Sequence, residues 1–254
     1  RTVQIGMGAE LARLTGIDVV NDFRSADVAA GGHGAPLVPL YHQALVRSAG
    51  VKESIAIINI GGVGNVTYVG IDGSLLAFDT GPGNALIDDW AMTHTGVPVD
   101  TDGAMAEIGE VDVDVLQTLM AHEFFEAKPP KSLDRFSFSP AAVEGLSPPD
   151  GAATLTAFTV EAIARGLAHI PGMPTRFVVC GGGRRNPTMM KMLSRRLQGG
   201  VLPAEDLGWR GDDVEAEAFA YLAVRSLKGL PLSLPTTTGV PYPMPGGRLN
   251  RAVP

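Results

Sequence analysis

Three runs of apolar and β-branched residues follow one another almost without a break: "SIAIINIGG", "NVTYVGI" and "SLLAFDTG", within residues 54–81. Each has the length of a strand, and the Gly61-Gly62 pair and the "DGS" turn at 72–74 separate them, so the pattern predicts an antiparallel sheet of three strands. The third run ends on an acidic residue, Asp79, and passes into the glycine-rich turn "DTGPGN". After Asn84 the apolar residues Ala85, Leu86 and Trp90 recur at helical intervals, with Gly96 as the stop. A strand, an acidic end, a glycine turn and a helix therefore follow in order.

Around this centre the pattern is α/β. Residues 9–16 read as a short helix with a glycine stop, and "IDVVNDF" reads as a strand. Gly31, Gly32 and Gly34 make a loop that a ligand can approach closely, before a helix near residues 41–46. Residues 112–126 predict a helix, followed by a proline-broken, partly aromatic loop. "GAATLTAFTVEAIARGLAHI" is an amphipathic helix, "TRFVVCGGGRRNPTMMKMLSRRL" repeats strand, glycine turn and helix, and residues 212–229 give the last helix. "LPLSLPTTTGVPYPMPGG" reads as a proline-punctuated tail.

Composition removes several classes of function. A net charge of −7 with scattered Lys and Arg offers no basic face for nucleic acid. No apolar run reaches membrane-spanning length, and the opening "RTVQIGMGAEL" lacks the order of a secretory signal. The single cysteine, Cys180, lies in the apolar run "FVVC", as a buried strand residue does. Together these features lead to a cytoplasmic expectation.

Asp79 is the residue most suited to chemistry. A carboxylate at a sheet edge can take a proton from water or a hydroxyl brought within hydrogen-bond reach, although it can also cap a turn. Three glycine turns follow apolar strands: "NIGGVGN", "DTGPGN" and "CGGGRRN". Such turns present backbone amides to phosphate or admit a nucleotide before a helix. None is a Walker loop, and none carries the full dinucleotide fingerprint.

"DVVNDFRSADVAAGGHGAPLVP", "NIGGVGNVTYV", "FDTGPGNALID", "CGGGRRNPTMM" and "EAEAFAYLA" closely resemble, in order, the anhydro-N-acetylmuramic acid kinase family. The resemblance implies an actin-like ATPase, RNase H-like sugar-kinase fold in which two lobes close over ATP and sugar. It implies hydrolytic opening of a 1,6-anhydro ring coupled to phosphorylation of the sugar's 6-oxygen, with Mg2+ as cofactor. Anhydro-N-acetylmuramic acid and ATP are then the ligands, and a homodimer is compatible with the family.

By the same resemblance Asp79 is the general base and Glu215 the acidic residue that completes the site. Asp22, Arg24 and the loop Gly31, Gly32, His33 and Gly34 fall on the sugar side. Gly61, Gly62 and Asn65 form the phosphate turn, with Gly81, Gly83 and Asn84 in the turn after Asp79. Gly181, Gly182, Gly183 and Asn186 lie on the nucleotide side. No residue is assigned directly to metal. Without the resemblance, Asp22 is a strand end, Arg24 a surface cation, the glycines turn makers and Glu215 a helix charge.

The family's "GxMSGTSxDGxD" and "HGQT" segments are missing from these 254 residues, and His33 stands where "GGQGAP" has glutamine. The expected organisation is therefore the remainder of a first lobe and the sugar-side loop at 1–50, and a second lobe at 51–230 with an excursion at 99–150. A tail at 231–254 completes it, and a leader is expected upstream. Two other functions fit the residues: a non-catalytic sugar- or nucleotide-binding fragment, and a sugar kinase with an ordinary hydroxyl acceptor.

Overall fold

The structure, a computed structural model, describes residues 2–252. Helix α1 (Gly8–Thr15) stops at Gly16, whose φ of 68° suits glycine, and strand β1 (Val19–Asn21) follows. Helices α2 (Ser25–Ala29) and α3 (Pro39–Ser48) flank the glycine loop. Strands β2 (Ile55–Ile60), β3 (Val63–Val69) and β4 (Leu75–Pro82) then pair antiparallel, as the three apolar runs predict. Helix α4 (Ala85–Thr95) ends at Gly96 as expected.

The excursion contains α5 (Ala104–Glu107) and α6 (Val113–Met120). The single helix expected over residues 112–126 is not one helix. Asp112 caps α6 through the Val115 N–H, and the His122 ring accepts from the Phe124 N–H to start a separate 3-10 turn. That break turns Phe125 into a cluster with Phe138 and Phe158. Helix α7 (Pro148–Leu167) is capped by Ser147, and β5 (Arg176–Cys180), α8 (Pro187–Arg196), β6 (Gly200–Pro203) and α9 (Val214–Leu227) follow. Strand β7 (Arg248–Asn250) closes the order.

The main sheet runs β4-β3-β2-β5-β6, with β2, β3 and β4 antiparallel and β5 and β6 parallel to β2. Three antiparallel strands followed by two parallel ones on the far side of the first strand is the RNase H-like arrangement. Both faces are apolar. Ala56, Ile58, Ile60, Val66, Tyr68 and Phe78 pack against Leu155, Phe158 and Ile163 of α7. Ile55, Ile57, Val69, Leu75 and Val178 turn the other way, towards Leu40 and Val46 of α3 and Trp209. Fully burying each of the large side chains contributes about 1.5–3 kcal/mol, so α7 and α3 fix the sheet from opposite sides.

Helix α3 packs on the sheet's second face. The segment after residue 230 packs onto the fold as well. Strand β7 pairs with β1, Leu232 and Val240 are buried, and the Thr236 carbonyl accepts the Ala77 N–H on the outer edge of β4. Covering that edge removes an unpaired row of backbone groups. Among the described residues no helix is long and apolar enough to cross a membrane.

Candidate active site

Strand register brings polar residues together at one end of the sheet. Asn59 of β2 faces Asn65 of β3, and Asn65 faces Asp79 of β4. All three lie on the face that α3 covers, in line with Ile55 and Ile57 of β2, Val69 of β3 and Leu75 of β4. A bulge sharpens the placement: Gly64 pairs with Gly81 and Asn65 with Asp79, so Thr80 is the extra residue on β4. Bulges re-aim side chains in this way.

This polar row forms one wall of a cavity of about 450 Å3 lined also by Arg24, His42, Leu133, Gly181, Gly182, Arg184, Asp212 and Glu215. Among the described residues it unites pieces far apart in sequence, including the first turn of α9, where Glu215 is exposed.

Asp79 is 6% exposed, and burial pushes its carboxyl up to about 6, against the opposing pull of the Leu133 N–H and the charges of Arg24 and Lys131. Its Oδ2 accepts from the Leu133 N–H at 2.8 Å, and its own N–H donates to the Lys131 carbonyl at 3.0 Å. A carboxylate poised there is ionised at neutral pH and still a usable proton acceptor. His42 is buried beside Thr67, with Nδ1 2.9 Å from Thr67 Oγ1, and burial lowers it to about 4. It is therefore neutral across the working range.

The turn after β5 continues the polar row beyond Asn59, which pairs with Cys180. Gly181 has φ 75°, and a Cβ there would come 2.6 Å from the Ile60 carbonyl, so only glycine lets the chain pass β2. Arg184 then reaches back. Its Nη1 donates to the Gly181 carbonyl, Nε to Glu205 at 2.8 Å and Nη2 to Asp212 at 2.6 Å, with only 5% of the side chain exposed.

The cavity thus unites Asp79, Arg24, Asn65, Gly181, Gly182 and Glu215 of the residues singled out in the sequence. Others lie behind it. Asp22, at φ 53°, accepts from the Ser25 N–H at the start of α2 and does not line the cavity. Gly31, Gly32, His33 and Gly34 form the neighbouring loop, held by buried Asp27: Oδ1 accepts from the Gly34 N–H and Oδ2 from the Thr238 hydroxyl. Arg24 donates to the Gly34 carbonyl at 2.5 Å. The Gly61 and Gly62 carbonyls accept from the N–H groups of Asn84 and Gly83, so these two turns interlock. Gly81 packs over Ala162, Gly183 against Ile60, and Asn186 caps α8 through the Met189 N–H.

Asn59, His42, Leu133, Arg184 and Asp212 escaped the sequence reading. Asn59 was the most accessible of them: it interrupts "SIAIINIGG" on the same face as Asn65 and Asp79 once the hairpin register is drawn. Cys180 is buried, as expected, and burial pushes its thiol up to about 12. It has no reactive character.

A family model described as anhydro-N-acetylmuramic acid kinase matches residues 1–249. The chain belongs to the anhydro-N-acetylmuramic acid kinase family. A protein of that name from Paramagnetospirillum magneticum is 59% identical over 98% of this chain and 70% of its own length. One from Rhizorhabdus wittichii is 55% identical over 98% and 68%, and one from Rhodospirillum rubrum is 56% identical over 97% and 65%. The chain spans about two thirds of the length of these family members. Among solved structures, the activator of 2-hydroxyisocaproyl-CoA dehydratase from Clostridium difficile with bound ADPNP overlaps at a TM-score of 0.44 and 17% identity, over 72% of this chain and 67% of its own. That overlap is too slight to add to the topology described above.

Proposed function

We propose that this chain forms the second lobe and the end of the first lobe of an ATP-dependent anhydro-N-acetylmuramic acid kinase, which yields N-acetylmuramic acid 6-phosphate in peptidoglycan recycling. The observation that carries the reading is Asp79, a buried carboxylate raised to about 6 at the wall of a cavity shared with Glu215 and the glycine turn after β5.

Asp79 takes a proton from water as the water oxygen bonds to the anomeric carbon. The bond from that carbon to the 6-oxygen breaks, and the freed oxygen attacks the terminal phosphorus of ATP, with ADP as leaving group. Phosphoryl transfer asks the protein chiefly for positioning and charge stabilisation. Arg24 and the loop at Gly31–Gly34 are assigned to the sugar side, and Gly181, Gly182 and Arg184 to the nucleotide side. The interlocked turns of Gly61, Gly62, Gly83 and Asn84 support the phosphate end, and Asn186 acts through α8.

The described residues contain no cluster of three or more His, Cys, Asp or Glu suited to hold a metal. Magnesium fits nonetheless, because it binds through one or two carboxylates together with substrate phosphates and water. Of the two exposed cavity carboxylates, Asp212 is paired with Arg184 and Arg185, which leaves Glu215 able to take that part, and the ion would supply charge neutralisation at the phosphates. The reading also takes in a homodimer and a cytoplasmic setting, and sedimentation of the full-length protein checks the first.

The experiment supplies the full-length enzyme with ATP, magnesium and the anhydrosugar and identifies the product by mass and anomeric configuration. The 6-phosphosugar is expected. Folded enzyme that phosphorylates open N-acetylmuramic acid but leaves the anhydrosugar intact would instead establish an ordinary hydroxyl acceptor.

A further inference from the structure

The excursion between α4 and α7 reaches Asp79 from outside the sheet. Strand β4 lies at the sheet edge, and the Lys131 carbonyl and Leu133 N–H bracket Asp79 there through the two bonds already described. Lys131 itself is 6% exposed, a rare state for lysine. Its Nζ donates to the Phe124 carbonyl at 3.0 Å and stands 4.3 Å from the Phe124 ring centroid. Among the described residues it makes no salt bridge and it does not line the cavity.

A buried ammonium with one carbonyl and one aromatic face is costly to keep. Burial and the neighbouring Arg165 lower its proton affinity, which Glu126 and Asp79 partly restore. The bond from Nζ to the Phe124 carbonyl closes residues 124–131 into a turn that ends two residues before Leu133. With this tie, the Leu133 N–H is held on Oδ2 and a positive charge stands near the carboxylate.

We propose that Lys131 is a positioning residue for Asp79, its ammonium tying residues 124–131 into a closed turn that fixes the following Leu133, so that the Leu133 N–H and the lysine charge together hold the carboxylate ionised and aimed at the cavity. The proposal rests on Asp79 being the general base. The other charged and titratable groups facing this region are Arg24 near α2, His42 on α3, Arg184 after β5, Asp212 just before α9 and Glu215 on it around the cavity, Glu126 and Arg165 around Lys131, and His169 with Lys128 beside them. All of them stay in place when Lys131 alone is changed.

The sign follows from the two contacts. Both the lysine charge and the Leu133 N–H favour the ionised carboxylate. Losing them raises the pH at which Asp79 gives up its proton. A base must be deprotonated to act, so the acid limb of kcat/KM moves to higher pH.

The test measures kcat/KM for the anhydrosugar between pH 5 and 8.5 in the full-length enzyme, for the wild type and for Lys131→Met, Lys131→Arg and Asp79→Asn. Lys131→Met should move the acid midpoint up from near 6 by about half a pH unit or more, whereas Lys131→Arg, which keeps the charge, should track the wild type. Lys131→Gln keeps a donor for the Phe124 carbonyl and carries the test if the methionine variant does not fold. A uniform loss of rate at every pH, with the midpoint unmoved in the neutral variants, would make Lys131 merely structural and overturn the proposal. Retention of the acid limb in Asp79→Asn would remove the base on which the proposal rests, a failure distinct from the first.

Discussion

Substituting Asp79 by asparagine should stabilise the fold while it stops the chemistry. The amide keeps an oxygen for the Leu133 N–H and removes a charge that burial penalises. The carboxyl titrates at 3.8 when unfolded and about 6 when folded, so the folded state holds the proton more tightly. Stability from this group is complete below pH 3.8 and is lost as pH rises towards 6. At about 1.36 kcal/mol per pH unit, the loss amounts to about 3 kcal/mol at pH 8.

Asp79→Asn should recover up to that amount, or roughly 6–12 °C in Tm for a chain of this size. At pH 5 the native carboxyl is mostly protonated, so the advantage should fall to about half. His42, lowered to about 4 by burial, has the opposite trend: its contribution is present above pH 6.5 and is lost as pH falls towards 4. It is common to both proteins and drops out of the difference. Urea unfolding at pH 5 and pH 8 measures the quantity directly. A variant less stable than the parent at pH 8, or equally favoured at both pH values, would refute the argument that desolvation dominates at Asp79.

Gly83→Ala should cost about 2–4 kcal/mol, read as a lower urea midpoint, because its Cβ would meet the Gly61 carbonyl oxygen at 2.2 Å and part the interlocked turns. Gly62→Ala meets only the Ala85 Cβ at 3.8 Å and should leave the midpoint within about 0.5 kcal/mol. Asp27→Ala strands the buried Gly34 N–H and Thr238 hydroxyl and should cost on the order of 3 kcal/mol. Hydrogen exchange should rise at Gly34 in that variant, and unchanged protection there would contradict the role given to Asp27.

The sheet was legible where local chemistry and tertiary need agree. Strands β2, β3 and β4 carry apolar runs on both faces, β-branched in β2 and β3, and turn on glycine, aspartate and asparagine, so pattern alone placed them. Asp79 stood out because it ends such a run beside a glycine turn. Strands β6 and β7 are four and three residues long, too short for a period to register, and each exists through a partner distant in sequence. The same reason hid Arg184, whose partners Glu205 and Asp212 come from beyond α8. Lys131 and Leu133 lie in a segment with no period at all, and only the packing of the excursion against the β4 edge gives them a place beside Asp79.

The roles of Asp79 as base and as mere turn former separate most directly in turnover of the full-length Asp79→Asn enzyme, measured together with its affinity for ATP. The asparagine can fill the same space and accept the same backbone N–H, but it cannot take a proton from water. General-base catalysis contributes about 10²–10⁴-fold, so the account predicts a loss of that size in kcat with nucleotide affinity close to that of the parent. Turnover near the parent value, in a preparation whose substitution is confirmed by mass, would contradict it.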